Sequence, residues 1–235
     1  MLKSKKPVKV SHKEIKEDQL VTAYTEVLAY YYKFQKQILI AGVAFLVIVA
    51  GIAAYLYLKS SNEKEASDLL SKVYPLIESN QTDLALNGDP KTGVVGLKAI
   101  ADDFGSTPSG TVAEMYTAKY SYDLKKYDDA EKYYDAVSSE DPYMQSAAYA
   151  GLAATKEQKK EFADAASLYI KAAKTADLNV MSARYLHLAG LNLAEAGNYK
   201  ESVETFTELK EKYKDSTYGK EADKYIALFS AKIAD

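Results

Sequence analysis

The chain has 235 residues, 48% hydrophobic and 27% charged, a mixture that supports one or two compact units rather than a disordered chain. It has no cysteine, which excludes disulfides, thiolate metal sites and cysteine nucleophiles. The net charge of −3 is unevenly divided, because residues 1–37 carry eight lysines against four acids, whereas residues 59–235 carry 22 basic residues against 29 acids. The acidic larger part argues against nucleic-acid binding, which needs a basic surface.

Residues 38–58 form a run of 21 residues without a charge. As a helix this run is about 31 Å long, which matches the apolar thickness of a bilayer. Aromatic residues that suit the membrane interface flank it, and lysines mark its edges: Tyr30, Tyr31, Tyr32, Phe34, Tyr55 and Tyr57, with Lys33, Lys36 and Lys59. The pattern predicts one transmembrane helix over 38–58.

Two alternatives to a membrane anchor are a buried core helix and a cleaved signal peptide. A core helix leaves the flanking aromatic residues and lysines unexplained. A signal peptide has an apolar region of roughly 7–15 residues, which is shorter than this run, and here 37 residues precede it. We therefore predict an uncleaved anchor. The lysine-rich side of a span usually lies in the cytoplasm, so residues 59–235 are expected outside it.

The segment before the span has its own helical pattern. Val21, Tyr24, Leu28 and Tyr31 recur at intervals of three and four, which predicts an amphipathic helix over 14–36. Its apolar stripe could lie on the lipid surface or pack on a membrane partner, and the pattern fits both.

Beyond the span, one motif recurs after 35 and then 37 residues. In each copy an aromatic residue is followed by a small residue three positions later and by a second aromatic residue four positions beyond that. The copies are Tyr127, Ala130 and Tyr134; Phe162, Ala165 and Tyr169; Tyr199, Ser202 and Phe206. This spacing resembles the tetratricopeptide repeat, in which small residues let the two helices of each repeat approach and aromatic residues fill the gaps.

The register of repeats one and two in this motif is open. Glu114 and Thr117 occupy positions where the pattern expects large apolar residues. A shift by one residue would instead turn Ala113, Tyr116 and Tyr120 inward. Both registers remain possible on sequence alone.

A partial copy precedes the three repeats. Its apolar and glycine positions between Val94 and Ala113 match those between Val203 and Ala222 at a constant offset. This predicts a second repeat helix over 91–104 and a C-terminal capping helix over 218–234. The pattern predicts a helix leaving the membrane over 60–79, which Pro75 could interrupt, and a polar loop or insertion over 80–90.

No motif for catalysis or cofactor binding is present. His12 and His187 are the only histidines, and neither has a neighbouring acid–base or metal-spaced partner. The acidic pairs at Asp102 and Asp128 read as solvated helix residues. The sequence therefore predicts a protein without enzymatic activity, cofactor, metal or small-molecule substrate.

These patterns predict an all-α chain: a cytoplasmic tail (1–37), a single transmembrane helix (38–58), an exit helix and loop (59–90), and a tetratricopeptide-type α-solenoid (91–235). The concave side of such a solenoid, lined by the first helix of each repeat, is the expected docking surface for partner proteins. The candidate groove residues are Met115, Lys119, Tyr122, Arg184, His187 and Leu191.

The order of parts resembles the YfgM-like ancillary subunits of the Sec translocon. The resemblance is carried by residues 17–20 before the span, Tyr55 to Tyr57 at its end, residues 66–74 in the exit helix, and the repeat motifs. It implies a single-pass protein of the bacterial inner membrane that contacts translocon subunits through its span. Its periplasmic repeats would contact chaperones or emerging substrates.

The repeats alone are similar to a second family, the envelope-side tetratricopeptide proteins that coordinate cell division and outer-membrane upkeep. Residues 104–110 and 213–219 look like the inter-repeat motif of that family. Those proteins usually have a cleaved signal or a lipid anchor, and the uncleaved span therefore favours the first family.

Overall fold

The structure is a computed structural model that describes residues 12–176 and 179–234, with side chains for 21–176 and 181–233. The basic residues of the tail before His12 therefore lie outside the described part. The fold is all-α apart from one small hairpin, as predicted. The chain divides into two compact units, Met1–Leu58 and Lys59–Asp235.

The first helix, α1, is one continuous helix over His12–Glu78. It includes the predicted tail helix, span and exit helix without a break between them. Pro75 does not interrupt it, because it lies in the last turn and removes only one hydrogen bond there. The apolar residues of 38–58 are all exposed, and α1 is long and apolar enough to cross a membrane. A buried core helix is excluded, because none of its most apolar window is covered by protein.

The second unit is a stack of helices in which consecutive helices pack on one another. Residues 59–78 of α1 are followed by α2 (Thr82–Asn87) and α3 (Leu97–Phe104). Three helix pairs follow, and a last helix closes the stack: α4 (Pro108–Asp123) and α5 (Tyr127–Ala136); α6 (Pro142–Gln158) and α7 (Phe162–Thr175); α8 (Asn179–Glu195) and α9 (Tyr199–Lys212); α10 (Thr217–Ala234).

Four turns of this unit share one backbone geometry. In each, a residue with positive φ donates its N–H to the carbonyl three residues back, and the next residue donates to the carbonyl five residues back. This pair of bonds is the Schellman motif that ends helices. The four positive-φ residues are Asn80 (55°), Lys125 (59°), Lys160 (63°) and Gly197 (82°).

The same turns begin the following helix in the same way. Five residues after each positive-φ residue, a small residue donates its N–H to the carbonyl of the helix N-cap. These four small residues, Ala85, Ala130, Ala165 and Ser202, are fully buried. The turn at Asn80 is therefore a fourth repeat turn, and the end of α1 is the first helix of the first repeat.

The prediction of a polar loop over 80–90 was wrong in part. Residues Thr82–Asn87 form helix α2, whose Ala85 and Leu86 are fully buried. A two-stranded antiparallel hairpin then interrupts the second helix of this repeat, pairing Gly88 with Val95 and Asp89 with Val94. The predicted helix over 91–104 consequently begins only at Leu97, after the hairpin and its buried Gly96.

The matched positions of the partial copy are structurally equivalent. Gly110 and Gly219 each lie against the carbonyl of the preceding helix end, Phe104 or Tyr213, where a Cβ would clash with backbone. The predicted capping helix is α10, which begins one residue before the predicted start.

The structure shows which residues of α4 are buried. Glu114 and Thr117 are buried, at 5% and 0% exposure, and so is Ala113, at 0%, while Tyr116 and Tyr120 are half-buried against the core. The buried side of α4 thus includes residues of both predicted registers, and it places a carboxyl group in the core. Burial raises the pKa of Glu114 to about 7, and nearby Asp102 adds to the rise.

Two apolar clusters hold the unit together. One joins residues 69–77 of α1 to α2, α3, α4 and α5, and includes Leu70, Val73 and Ile100. The other joins α6 to α10 around Phe206, Leu186 and Leu209.

Candidate protein-binding surface

The six predicted groove residues lie on α4 and α8, the first helices of their repeats. Lys119 and Arg184 are exposed, and Met115, Tyr122 and Leu191 are half-buried. His187 is different, because only 8% of its surface is exposed. Five of the six residues therefore have surface that a partner could contact.

His187 belongs to an aromatic cluster between α8, α9 and α10. Its ring lies 5.7 Å from that of Phe206, 5.0 Å from that of Tyr218 and 5.1 Å from that of Tyr225. Its Nδ1 is buried without a hydrogen-bond partner, and burial lowers its pKa, so the ring is held in its neutral form. The capping helix α10 therefore covers His187, which the repeat pattern had assigned to the groove.

On α4, the exposed Lys119 already has intramolecular partners. Its Nζ lies 2.6 Å from Asp123 one turn later and 5.3 Å from the Tyr120 ring centre. Pairs of this kind on a helix surface stabilise by only about 0.3–0.5 kcal/mol, so a partner could displace Asp123.

Helix α6 lies between α4 and α8 and supplies residues that the prediction did not name. Adding the repeat length of 35 to Met115, Lys119 and Tyr122 leads to Ala150, Ala154 and Glu157, all half-buried. Their spacing of four and three residues places them on one helix face. We call the surface formed by these three residues together with Met115, Lys119, Tyr122, Arg184 and Leu191 the A-helix surface.

Glu157 is held at the centre of this surface by two neutral donors. Its Oε2 accepts a hydrogen bond of 3.2 Å from the Tyr169 hydroxyl and one of 3.1 Å from Asn192 Nδ2. Asn192 also donates to the Leu188 carbonyl at 2.9 Å, and its buried Oδ1 has no partner. Glu157 therefore connects α6 to α7 and α8.

Aromatic side chains border Glu157 on the α4 side. The rings of Tyr122 and Tyr127 meet edge to face at 5.7 Å, and the Tyr127 hydroxyl donates to Gln158 Oε1 at 3.4 Å. The pKa of Tyr122 is raised mainly by burial, with smaller contributions from Tyr127 and Glu157. Tyr122 and Glu157 are thus close enough to interact electrostatically.

The described residues contain no group of three or more His, Asp or Glu side chains that could hold a metal ion. The open surface near the turn at Lys125 is lined by Lys126, Tyr127, Asp128, Asp129 and Lys159.

Comparison with known families gives one match. A family model described as a tetratricopeptide repeat-like domain matches residues 29–190, more than half of the chain. The match begins before the apolar segment 38–58 and ends within α8. Comparisons with curated proteins and with solved structures give no match.

Proposed function

Because the chain belongs to the family with a tetratricopeptide repeat-like domain, we propose that it is a membrane-anchored adaptor that binds other proteins through its repeats. In this role the protein has no enzymatic activity and uses no cofactor. Residues 38–58 hold it in the bilayer, and residues 59–235 carry the binding surface.

The observation that supports this proposal most strongly is the position of the family match. The matched range, 29–190, includes the apolar segment 38–58 as well as most of the repeats. The apolar side chains of this segment are exposed along the whole of 38–58. Such a surface is unfavourable in water, and a bilayer satisfies it.

We further propose that the N-terminus is cytoplasmic and the repeats lie on the other side of a bacterial inner membrane. Eight lysines precede the span, whereas Lys59 and Lys64 after it stand among Glu63, Glu65 and Asp68. The excess of lysine before the span favours this orientation.

The partner that the resemblance suggests is the Sec translocon, contacted through the span, with chaperones or emerging substrates on the repeats. The second candidate is an envelope protein that serves cell division or outer-membrane upkeep, with the span acting only as a tether. The similarity of residues 104–110 and 213–219 to the inter-repeat motif of that family supports the second candidate.

Orientation can be tested with single cysteines, because the natural chain has none. Cysteines at Ser4 and Ser61 would be treated with a membrane-impermeant thiol reagent in intact spheroplasts. We expect labelling at residue 61 and not at residue 4. Labelling at residue 4 alone would reverse the orientation and remove the proposed location.

The two candidate partners can be separated by photo-crosslinkers in the span, at Ala44 and Ala50. Both side chains are exposed. Adducts with translocon subunits would support the first candidate, whereas self-adducts alone would support a tether.

A further inference from the structure

Glu157 differs from the acidic residues around it, because no basic side chain of the described residues forms an ion pair with it; Arg184 acts electrostatically on its hydrogen-bond partner Tyr169 without contacting Glu157. On the same helix, Lys156 pairs with Glu131 at 2.7 Å and Glu161 at 2.6 Å, and Lys159 pairs with Glu131 and Asp128, both at 2.8 Å. No ion pair in the described part of the chain includes Glu157. The two lysines nearest to Glu157 in sequence, Lys156 and Lys159, therefore form ion pairs with other carboxylates.

The carboxylate of Glu157 is also oriented. Both of its hydrogen bonds, from Tyr169 and from Asn192, go to Oε2, and no bond within the described residues reaches Oε1. Tyr169 is buried and Asn192 is 3% exposed, so the two donors are fixed by packing on α7 and α8. One oxygen is anchored and the other is available to an incoming donor.

The residues before Glu157 on its own helix face are small. Ala154 and Ala150 lie one and two turns before it, and both are half-buried. Tyr122 of α4 is close enough to Glu157 to interact with it electrostatically. A cation bound by Glu157 would therefore have an aromatic ring nearby, which attracts cations, in a half-buried setting where charge pairing is stronger than in open water.

We infer that Glu157 binds a lysine or arginine side chain of the polypeptide that occupies the A-helix surface. This role depends on the proposed protein-binding function and adds the chemistry of the partner. The alanines accommodate the partner backbone, and Glu157 selects a basic residue at one position.

Substitution Glu157→Gln isolates the charge. The glutamine carbonyl can still accept from Tyr169 and Asn192, but its amide group presents N–H donors where the carboxylate presented an acceptor. A matched control is Glu195→Gln, which removes an exposed carboxylate on α8. Circular dichroism melting of each variant tests whether the repeats remain folded.

The test is selection of a random dodecapeptide phage library on the full-length protein in nanodiscs. With the natural protein and with Glu195→Gln, we expect enriched peptides that share a lysine or arginine at one position. With Glu157→Gln this preference should disappear. Enriched peptides without a shared basic residue would overturn the role of Glu157 and leave the protein-binding function intact, whereas no enrichment on any variant would contradict the binding function itself.

A synthetic version of the best peptide then gives the size of the effect by fluorescence anisotropy. Replacing its basic residue by methionine should weaken binding to the natural protein by about tenfold or more, and to Glu157→Gln by about twofold or less. An equal loss for both proteins would show that the basic residue binds elsewhere and would refute the inference.

Discussion

Because the carboxyl group of Glu114 is buried, it makes the stability of the folded protein depend on pH. Its pKa rises from 4.5 to about 7 in the folded protein, so between these values the folded state binds more protons than the unfolded chain. Stability is therefore fully present below about pH 4.5 and declines as the pH rises through 7. The full loss is about 3 kcal/mol, since each pKa unit between 4.5 and about 7 corresponds to about 1.4 kcal/mol.

We predict that Glu114→Gln removes this decline. The measurement is the thermal midpoint of the full-length protein in detergent micelles, by circular dichroism, between pH 5 and pH 8. His187, whose pKa is lowered, contributes the opposite slope below pH 6.5, but it is present in both proteins and cancels in the comparison. Glu140→Gln, at an exposed position, is the control. Parallel pH profiles for the natural protein and Glu114→Gln would show that Glu114 is not the titrating group.

At the scale of elements, the N-terminus of α4 is capped from another helix. The carboxylate of Glu63 on α1 accepts from the Ser109 backbone N–H at 3.0 Å and from its hydroxyl at 2.7 Å. A negative charge at a helix N-terminus stabilises both the free N–H groups and the helix dipole. This contact joins the C-terminal part of α1 to α4, the first helix of the next repeat.

We predict that Glu63→Ala lowers the free energy of unfolding by about 1 kcal/mol. The exposed Glu65→Ala, two residues along the same helix, is the matched control and should change it little. Both values come from thermal melting of the full chain in detergent. Equal effects of the two substitutions would mean that the cap contributes nothing.

The repeat turns make a second prediction at this scale. Lys125 and Lys160 hold positive φ values, which cost a residue with a Cβ about 1–2 kcal/mol, whereas Gly197 holds its value without that strain. Lys125→Gly should therefore raise the thermal midpoint modestly. Lys72→Gly, at an exposed position inside α1, should lower it because glycine within a helix costs about 0.5–1 kcal/mol. A lower midpoint for Lys125→Gly would contradict the strain argument.

For the whole molecule, the helices of three repeats and the capping helix were predictable because aromatic and small residues mark each turn at nearly constant spacing. The first repeat was predicted only in part, as a partial copy with a second helix over 91–104, for two physical reasons. Thr82 stands where the other repeats have an aromatic residue, and the hairpin after α2 lengthens the spacing from Asn80 to Lys125 to 45 residues. The backbone geometry of the turn at Asn80 identifies that repeat, although the aromatic side chain that marks the other turns is absent.

The proposed binding surface could be predicted only in part. The α4 residues that the repeat pattern named stay a prediction, whereas His187 is buried, because the pattern of one repeat does not reveal that α10 covers it. Glu157 lies at a spacing of 35 from Tyr122 and could have been found by extending the same rule to α6. Its pairing with Tyr169 and Asn192, and its lack of an ion pair within the described residues, depend on packing among three helices and required the structure.

The central proposal is that α1 remains part of the mature protein and holds it in a membrane. The most direct test is alkaline carbonate extraction of cells that express the full chain, followed by intact-mass measurement of the protein in each fraction. We predict a membrane-bound protein whose mass includes residues 38–58. A soluble protein whose mass shows that it begins near residue 59 would contradict the proposal.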